Sequence, residues 1–220
     1  MKAVDARGIT FRYKGQRSFV LENVNFELEQ GRIAALTGPS GCGKSTLGYS
    51  ICGVIPTLIK GEFSGAVTRR GRAGIVFQDP DTQIFLPIVE DELAFGPENI
   101  CLPREEIGEK IRSALELIGL TELRMKNPAQ LSGGQKQLVA LAGVLTLSPD
   151  IIVFDETLSQ LDLAAQDMVK KVLLALKRED KTLIMIEHKK EFLEIADEIW
   201  FLNKGELVRR PSSGLVTGNG

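Results

Sequence analysis

The run Gly38-Pro39-Ser40-Gly41-Cys42-Gly43-Lys44-Ser45 constrains this chain more than any other stretch. It matches G-x-x-x-x-G-K-[ST] in full, and its flanks supply the context that the pattern needs. Before it, Gly31 turns the chain and Ile33-Ala34-Ala35-Leu36 runs apolar without alternation, as a strand covered on both faces does. After it, Leu47, Ile51 and Val54 with Ile55 recur at helical spacing, and Pro56 is expected to end that helix. A strand, a glycine loop and a helix in this order make an anion site. Glycines let backbone N–H groups turn inward, and the helix start adds the positive end of its dipole. Lys44 would bring a point charge to the β- and γ-phosphates of a nucleotide. The Ser45 hydroxyl would ligate Mg²⁺, with Thr46 close behind. A loop that merely turned a strand into a helix would have no use for the Lys-Ser pair. Cys42 occupies a variable position of the pattern and is given no chemical role.

A second component is Ile151-Ile152-Val153-Phe154-Asp155-Glu156. Four apolar residues followed by two carboxylates put both acids at the C-terminal end of a buried strand, where open α/β sheets bind ligands. Asp155 fits a Mg²⁺ role and Glu156 a general base or orienter for an attacking water. The one Asn-Lys pair, Asn203-Lys204-Gly205-Glu206, falls in an expected hairpin turn, so a guanine-reading Asn-Lys-x-Asp sequence is missing.

The rest of the chain reads as alternating strands and helices. Val24, Phe26 and Leu28 alternate with Asn25, Glu27 and Glu29, the period of a half-buried antiparallel strand. Residues 73–77 form another short apolar strand. Residues 79–147 turn mainly helical, with a stripe of Ile107, Ile111, Ala114, Leu115 and Ile118 closed by Gly119. Strands return at 151–154 and 183–186, around a helix over about 161–178. A hairpin, 199–202 against 206–208, follows. Such alternation implies parallel pairing, hence an α/β core interrupted by a helical insert.

Composition narrows the setting. The chain has 220 residues, enough for one large domain or a domain with an inserted subdomain. It carries 27 basic and 29 acidic side chains, a net −2, which gives no support to a general affinity for nucleic acid or acidic lipid. The longest apolar stretch, residues 139–147, is about half of what a bilayer span needs. The first seven residues hold no apolar signal core. Three cysteines without CxxC point to a reducing compartment, not to a disulfide scaffold or a zinc site.

A third motif, Leu131-Ser132-Gly133-Gly134-Gln135, precedes a helical stretch over 136–147. Small residues at a helix start make a second anion site from backbone N–H groups, with a hydroxyl at Ser132. A capped helix behind a Gly-Gly turn would look the same in isolation. In combination, these motifs make the chain resemble the nucleotide-binding subunit of ABC transporters over nearly its whole length. The phosphate loop, the LSGGQ signature, the strand ending in Asp155 and Glu156 appear in family order. So do Gln78 after the strand at 73–77, the D-loop segment Ser159-Gln160-Leu161-Asp162, and His188 after the strand at 183–186.

That resemblance implies an α/β fold. Its P-loop NTPase core has a mainly parallel sheet, with an N-terminal antiparallel β-subdomain and an inserted α-helical subdomain. Core and β-subdomain would take residues 1–78 and 148–210, the insert 79–147, and residues 211–220 would form a flexible tail. It implies a nucleotide site of Tyr13, stacked on adenine, with Gly38, Pro39, Ser40, Gly41, Cys42, Gly43, Lys44, Ser45 and Thr46. Mg²⁺ would be held by Ser45, Gln78 and Asp155, and catalysis would fall to Lys44, Gln78, Glu156 and His188. Two subunits, identical or paralogous, would close head to tail on two ATP. Leu131, Ser132, Gly133, Gly134 and Gln135 of one would reach the ATP held by the other, beside D-loop residues Ser159 and Asp162.

Residues 77–83 and 89–99 are similar to the energy-coupling factor subfamily, whose ATPases power uptake of vitamins and of cobalt or nickel ions. The acidic second segment lies where the family docks its transmembrane partner. The resemblance therefore implies a cytoplasmic protein held on the inner face of the membrane, with no nucleic-acid partner. The alternative is a soluble ABC ATPase of DNA repair or translation; such proteins tend to carry a long coiled-coil insert, a second cassette or basic arms. The roughly fifty residues between Gln78 and Leu131, the one cassette and the near-neutral charge weigh against it. Four positions depart from the family: Thr157-Leu158 for the usual Pro-Thr, Leu138 for Arg, and Glu187 for Thr before the histidine.

Overall fold

The computed structural model describes residues 1–157 and 161–210. In chain order the elements begin with β1 (Lys2–Tyr13), β2 (Leu21–Glu29), β3 (Ile33–Thr37), α1 (Lys44–Cys52), the single turn α2 (Val54–Thr57), β4 (Gly61–Arg69) and β5 (Ala73–Val76). Next come α3 (Val89–Asn99), α4 (Arg104–Leu117), α5 (Gly133–Leu145), β6 (Ile151–Asp155), α6 (Leu163–Arg178) and β7 (Thr182–Ile186). The short α7 (Lys190–Leu193) and the strands β8 (Glu198–Asn203) and β9 (Glu206–Arg210) complete the order. The contacts divide the chain into two compact units, and each has its own logic.

The first unit comprises Met1–Ile75, Asp150–Asp155 and the described residues from Leu176 onward. A three-stranded antiparallel sheet, in the order β2-β1-β4, carries one buried face. Along β2, Leu21, Val24, Phe26 and Leu28 are buried while the residues between them face solvent. The second sheet runs β5-β6-β7-β3-β8-β9. β3 lies between β7 and β8, parallel to both, and β6 pairs in parallel with β7. Ile33, Ala34, Ala35 and Leu36 are all buried, as an apolar run without alternation requires. At the edge of this sheet β9 pairs antiparallel with β8. The β8–β9 turn is the two residues Lys204 and Gly205, both at positive φ, the backbone that suits a tight hairpin. Phe11, Phe26, Leu47, Ile51, Val153 and Ile184 share one core in this unit.

Gly53, at φ 79, caps the C-terminus of α1, two residues after Ile51 of the expected apolar stripe. Its N–H bonds back to the Ser50 carbonyl. The expectation that Pro56 ends this helix is therefore corrected. A left-handed glycine stops it first, and Pro56 falls inside the separate turn α2. β4, which the periodicity did not reveal, has almost no buried positions and so shows no alternation.

The second unit comprises Val76–Pro149 and the described residues of Glu156–Ala175. Val89 and Leu93 of α3, Ile107, Ile111, Ala114 and Leu115 of α4, and residues 138–142 of α5 are buried. Gly119, at φ 67, follows α4, where the sequence placed the stop. Arg124 grips Glu90 with two hydrogen bonds, 2.9 and 2.6 Å. The Glu90 N–H also donates to the Arg124 carbonyl, so this pair pins the start of α3 through both backbone and side chain. The Arg124 hydrogen bonds hold the Glu90 carboxyl below the usual carboxylate range. Among the described residues no helix is long and apolar enough to cross a membrane.

Candidate nucleotide-binding site

The phosphate loop leaves the C-terminal end of β3 and enters α1. Two of its glycines are there for backbone reasons. Gly38 has φ 142, and a Cβ on it would collide with the Leu202 carbonyl oxygen. Gly43 has φ 104 and starts α1 with no side-chain cap. The helix start is thus left to the backbone, as a phosphate site needs. Lys44 is 4% exposed. Its ammonium donates to the carbonyls of Gly38 and Pro39, each at 3.0 Å, so the cation is folded back along the loop.

Ser45 and Asp155 meet directly. The Ser45 hydroxyl donates to Asp155 Oδ1 at 2.6 Å, joining the first turn of α1 to the last residue of β6. Asp155 is 4% exposed. Tyr49, one helical turn beyond Ser45, donates to the other carboxylate oxygen, Oδ2, at 2.8 Å. Burial pushes the Tyr49 phenol well above its ordinary range, and the bond to Asp155 pushes it further. α1 can lie this close to the sheet because Gly48 faces Val153 and Ile186, which a Cβ would approach to 3.0 and 3.3 Å. Nearby, burial pushes the Cys52 thiol up to about 12, which leaves it inert, and all three cysteines are free.

Tyr13 stands at the end of β1 and shares a hydrogen bond of 2.9 Å with the Thr46 hydroxyl. Its ring packs edge-on to Phe11, with centroids 4.8 Å apart. A cavity of about 510 Å³ opens beside it, edged by Arg12, Lys14, Arg17 and Lys60. His188 is exposed, two residues beyond β7. Glu187, the departure from the family pattern, is 2% exposed, and its Oε1 accepts the N–H groups of His188 and Lys189 at 2.8 and 3.1 Å. Its carboxylate makes the turn that a hydroxyl makes only weakly.

Gln78, residues 131–135, Glu156 and Asp162 belong to the second unit. Gln78 is exposed, directly after Phe77. Phe77 is bracketed by two glutamines that sequence reasoning did not single out as functional. Its N–H donates to Gln83 Oε1 at 3.1 Å, and its carbonyl accepts from Gln137 at 3.1 Å. Glu156 follows Asp155 and has φ 51, a left-handed backbone uncommon for any residue but glycine. Ser132 caps α5 with a full capping box: its hydroxyl accepts from the Gln135 N–H, and the Gln135 side chain accepts from the Ser132 N–H. Gly133 and Gly134 form the first helical turn behind Leu131. Asp162 accepts from the Ala165 N–H at 2.8 Å at the start of α6. Ser159 and Leu158 lie outside the described residues.

Residues 21–159 match the family model described as ABC transporter. The chain belongs to the ABC transporter family. Among its ABC relatives is an energy-coupling factor transporter ATP-binding protein of Methanocaldococcus jannaschii, 36% identical over 95% of this chain and 78% of that protein. Another of the same name, from Methanosarcina acetivorans, is 42% identical over 86% of this chain and 72% of that protein. Two further Methanosarcina relatives, 39% and 37% identical, are much longer, and the chain spans only 34% and 38% of their length. The solved structure of cbiO1 from Clostridium perfringens, part of the ABC transporter complex cbiONQ, superposes with a TM-score of 0.80. It is 28% identical and covers 94% of this chain and 87% of that one. The ABC fold is thus shown: a mixed α/β protein with a mainly parallel sheet and a separate antiparallel sheet.

Proposed function

We propose that this chain binds ATP with Mg²⁺ and hydrolyses it to energise transport through a membrane partner of the energy-coupling factor type. The observation that carries the reading is the meeting of Lys44, Ser45 and Asp155 within the first unit, at the loop after β3 and the end of β6. The relatives reported above are transporter subunits, which favours this reading over DNA repair or translation.

The donors fit Mg²⁺. Ser45 and Asp155 offer hard oxygens, and no cluster of three or more metal-ligating side chains occurs among the described residues. One carboxylate with substrate phosphates is the usual Mg²⁺ pattern, whereas zinc would need His or Cys. Ser45 and Asp155 would hold the ion with Gln78, and the ion would neutralise charge on the phosphates. Lys44, now satisfied by its own loop carbonyls, would turn to the phosphates, and backbone N–H groups at the start of α1 would hold them. Glu156 would orient and deprotonate the attacking water, His188 would hold the γ-phosphate, and Tyr13 would leave Thr46 to stack on adenine. In the head-to-tail dimer, residues 131–135 of the other subunit would complete the site, with the D-loop residues Ser159 and Asp162 alongside.

A groove of about 680 Å³ in the helical unit, bordered by Glu90, Asp91, Glu98, Arg104 and Arg124, supports the helical insert as the docking face of the transmembrane partner. The exposed Phe85 and Phe95, packed edge-on at 4.8 Å, add apolar surface in the same unit. The chain would then sit on the inner face of the cell membrane, and the solute would be a vitamin or a cobalt or nickel ion.

The test uses Glu156→Gln, which should cut ATP turnover by roughly 10²–10⁴-fold while leaving binding intact. In size-exclusion chromatography with light scattering, this variant should be a monomer alone and a dimer with ATP–Mg²⁺, and Ser132→Arg should abolish the dimer. A chain that binds ATP and stays monomeric at every nucleotide concentration would overturn the homodimeric form of the proposal.

A further inference from the structure

We propose that Tyr49 is a positioning residue for Asp155, holding its carboxylate in one orientation for a divalent cation that would sit beside bound nucleotide. The inference rests on the reading of Asp155 as the metal-holding acid.

Ser45 and Tyr49 are four residues apart on α1, so both project from one helix face. Each donates to a different oxygen of the same carboxylate, at 2.6 and 2.8 Å. A carboxylate held by one donor can still rotate about its Cβ–Cγ bond. Two donors on a rigid helix, one on each oxygen, remove that freedom. The division of labour is chemical. Ser45 keeps its lone pairs for a cation while its proton is spent on Oδ1, and Tyr49 supplies a proton but no part of the ligand set. Donors of this outer kind orient metal-holding carboxylates, and losing one typically weakens metal binding by about 10–100-fold. Tyr49 is half-buried and packs against the core of the first unit, so the ring cannot swing away freely.

The experiment compares ATP affinity with saturating Mg²⁺ and in EDTA, in a Glu156→Gln background that suppresses turnover. Tyr49→Phe removes only the hydroxyl. Its affinity in EDTA should equal that of the parent, while the gain from Mg²⁺ should fall about tenfold. Tyr49→Leu should show the same loss of gain, because the O–H and not the ring is responsible. Melting curves without nucleotide verify that each variant is folded. Asp155→Asn is the control for the underlying reading and should lose the Mg²⁺ gain. If Asp155→Asn loses the gain and Tyr49→Phe keeps it, the role given to Tyr49 is wrong. A Tyr49→Phe that weakens binding equally in EDTA and Mg²⁺ also overturns it, since that would be a general defect of the loop. If Asp155→Asn keeps the gain, the assignment of Asp155 itself fails, and the inference falls with it.

Discussion

The N-termini of α1 and α5 are both glycine-rich helix starts, and the protein closes them in different ways. At α1, Gly43 offers no side chain, and the polar groups around it are a buried lysine and a serine engaged with Asp155. At α5, Ser132 and Gln135 cap each other reciprocally, and Ser132 faces solvent. An uncapped start exposes its dipole and donors to a ligand, whereas a capping box spends two of those donors internally. An uncapped start is therefore suited to capture an anion alone, which is the role proposed for α1. α5 is suited to add to an anion already held, which is the role that the dimer proposal gives it.

The largest expected effect tests that difference. Lys44→Ala should cost roughly 2–5 kcal/mol of ATP binding, measured by titration calorimetry at protein concentrations where the chain is monomeric. Under the same conditions Ser132→Ala should leave ATP affinity unchanged within about twofold. Equal losses in the two variants would break the distinction between the two helix starts.

Stability measurements sharpen it. Glu187→Ala would strip the acceptor from two N–H groups after β7, and urea denaturation should show a loss of about 1–3 kcal/mol. Ser132→Ala should cost about 1 kcal/mol through the lost cap, a fall of roughly 2–4 °C in Tm. No ligand is needed for that effect, since the cap acts within α5.

The smallest effect concerns Asp197. Burial would raise its carboxyl, but hydrogen bonds from Lys177 and from the Ile33 N–H outweigh it, with the Arg32 charge adding, and the net direction is down. A depressed carboxyl contributes stability that is complete above its unfolded value, about 3.9, and is lost as pH falls through the folded value. Wild type should therefore exceed Asp197→Asn in urea midpoint near neutral pH, and the gap should close below about pH 4. A gap that stayed constant into acid would place the effect in packing and not in the charge.

Much of the architecture was legible because its causes are local. The alternation at Val24, Phe26 and Leu28, the continuous apolar run at Ile33-Ala34-Ala35-Leu36 and the stop at Gly119 each follow from spacing along the chain. β4 was not legible, since a strand with few buried residues carries no hydrophobic period. Pro56 was misread as the end of α1 because Gly53 had already reversed the backbone. At the site, the clamp of Tyr49 on Asp155 spans 106 positions, and that of Gln137 on Phe77 spans 60. Only the four-residue step from Ser45 to Tyr49 on a helix could have hinted at the first.

By itself the sequence determined the order of strand, glycine loop and helix around Lys44, the strand ending in Asp155, and the family to which these belong. Those are matters of which residue types follow one another, and backbone sterics and periodicity act over a few residues. Tertiary structure decided what each polar group is bonded to: Lys44 to its own loop carbonyls, Ser45 and Tyr49 to opposite oxygens of one carboxylate, Glu187 to the turn that carries His188. Hydrogen bonds have a range of about 3 Å, so their partners are fixed only when packing brings distant segments to that separation.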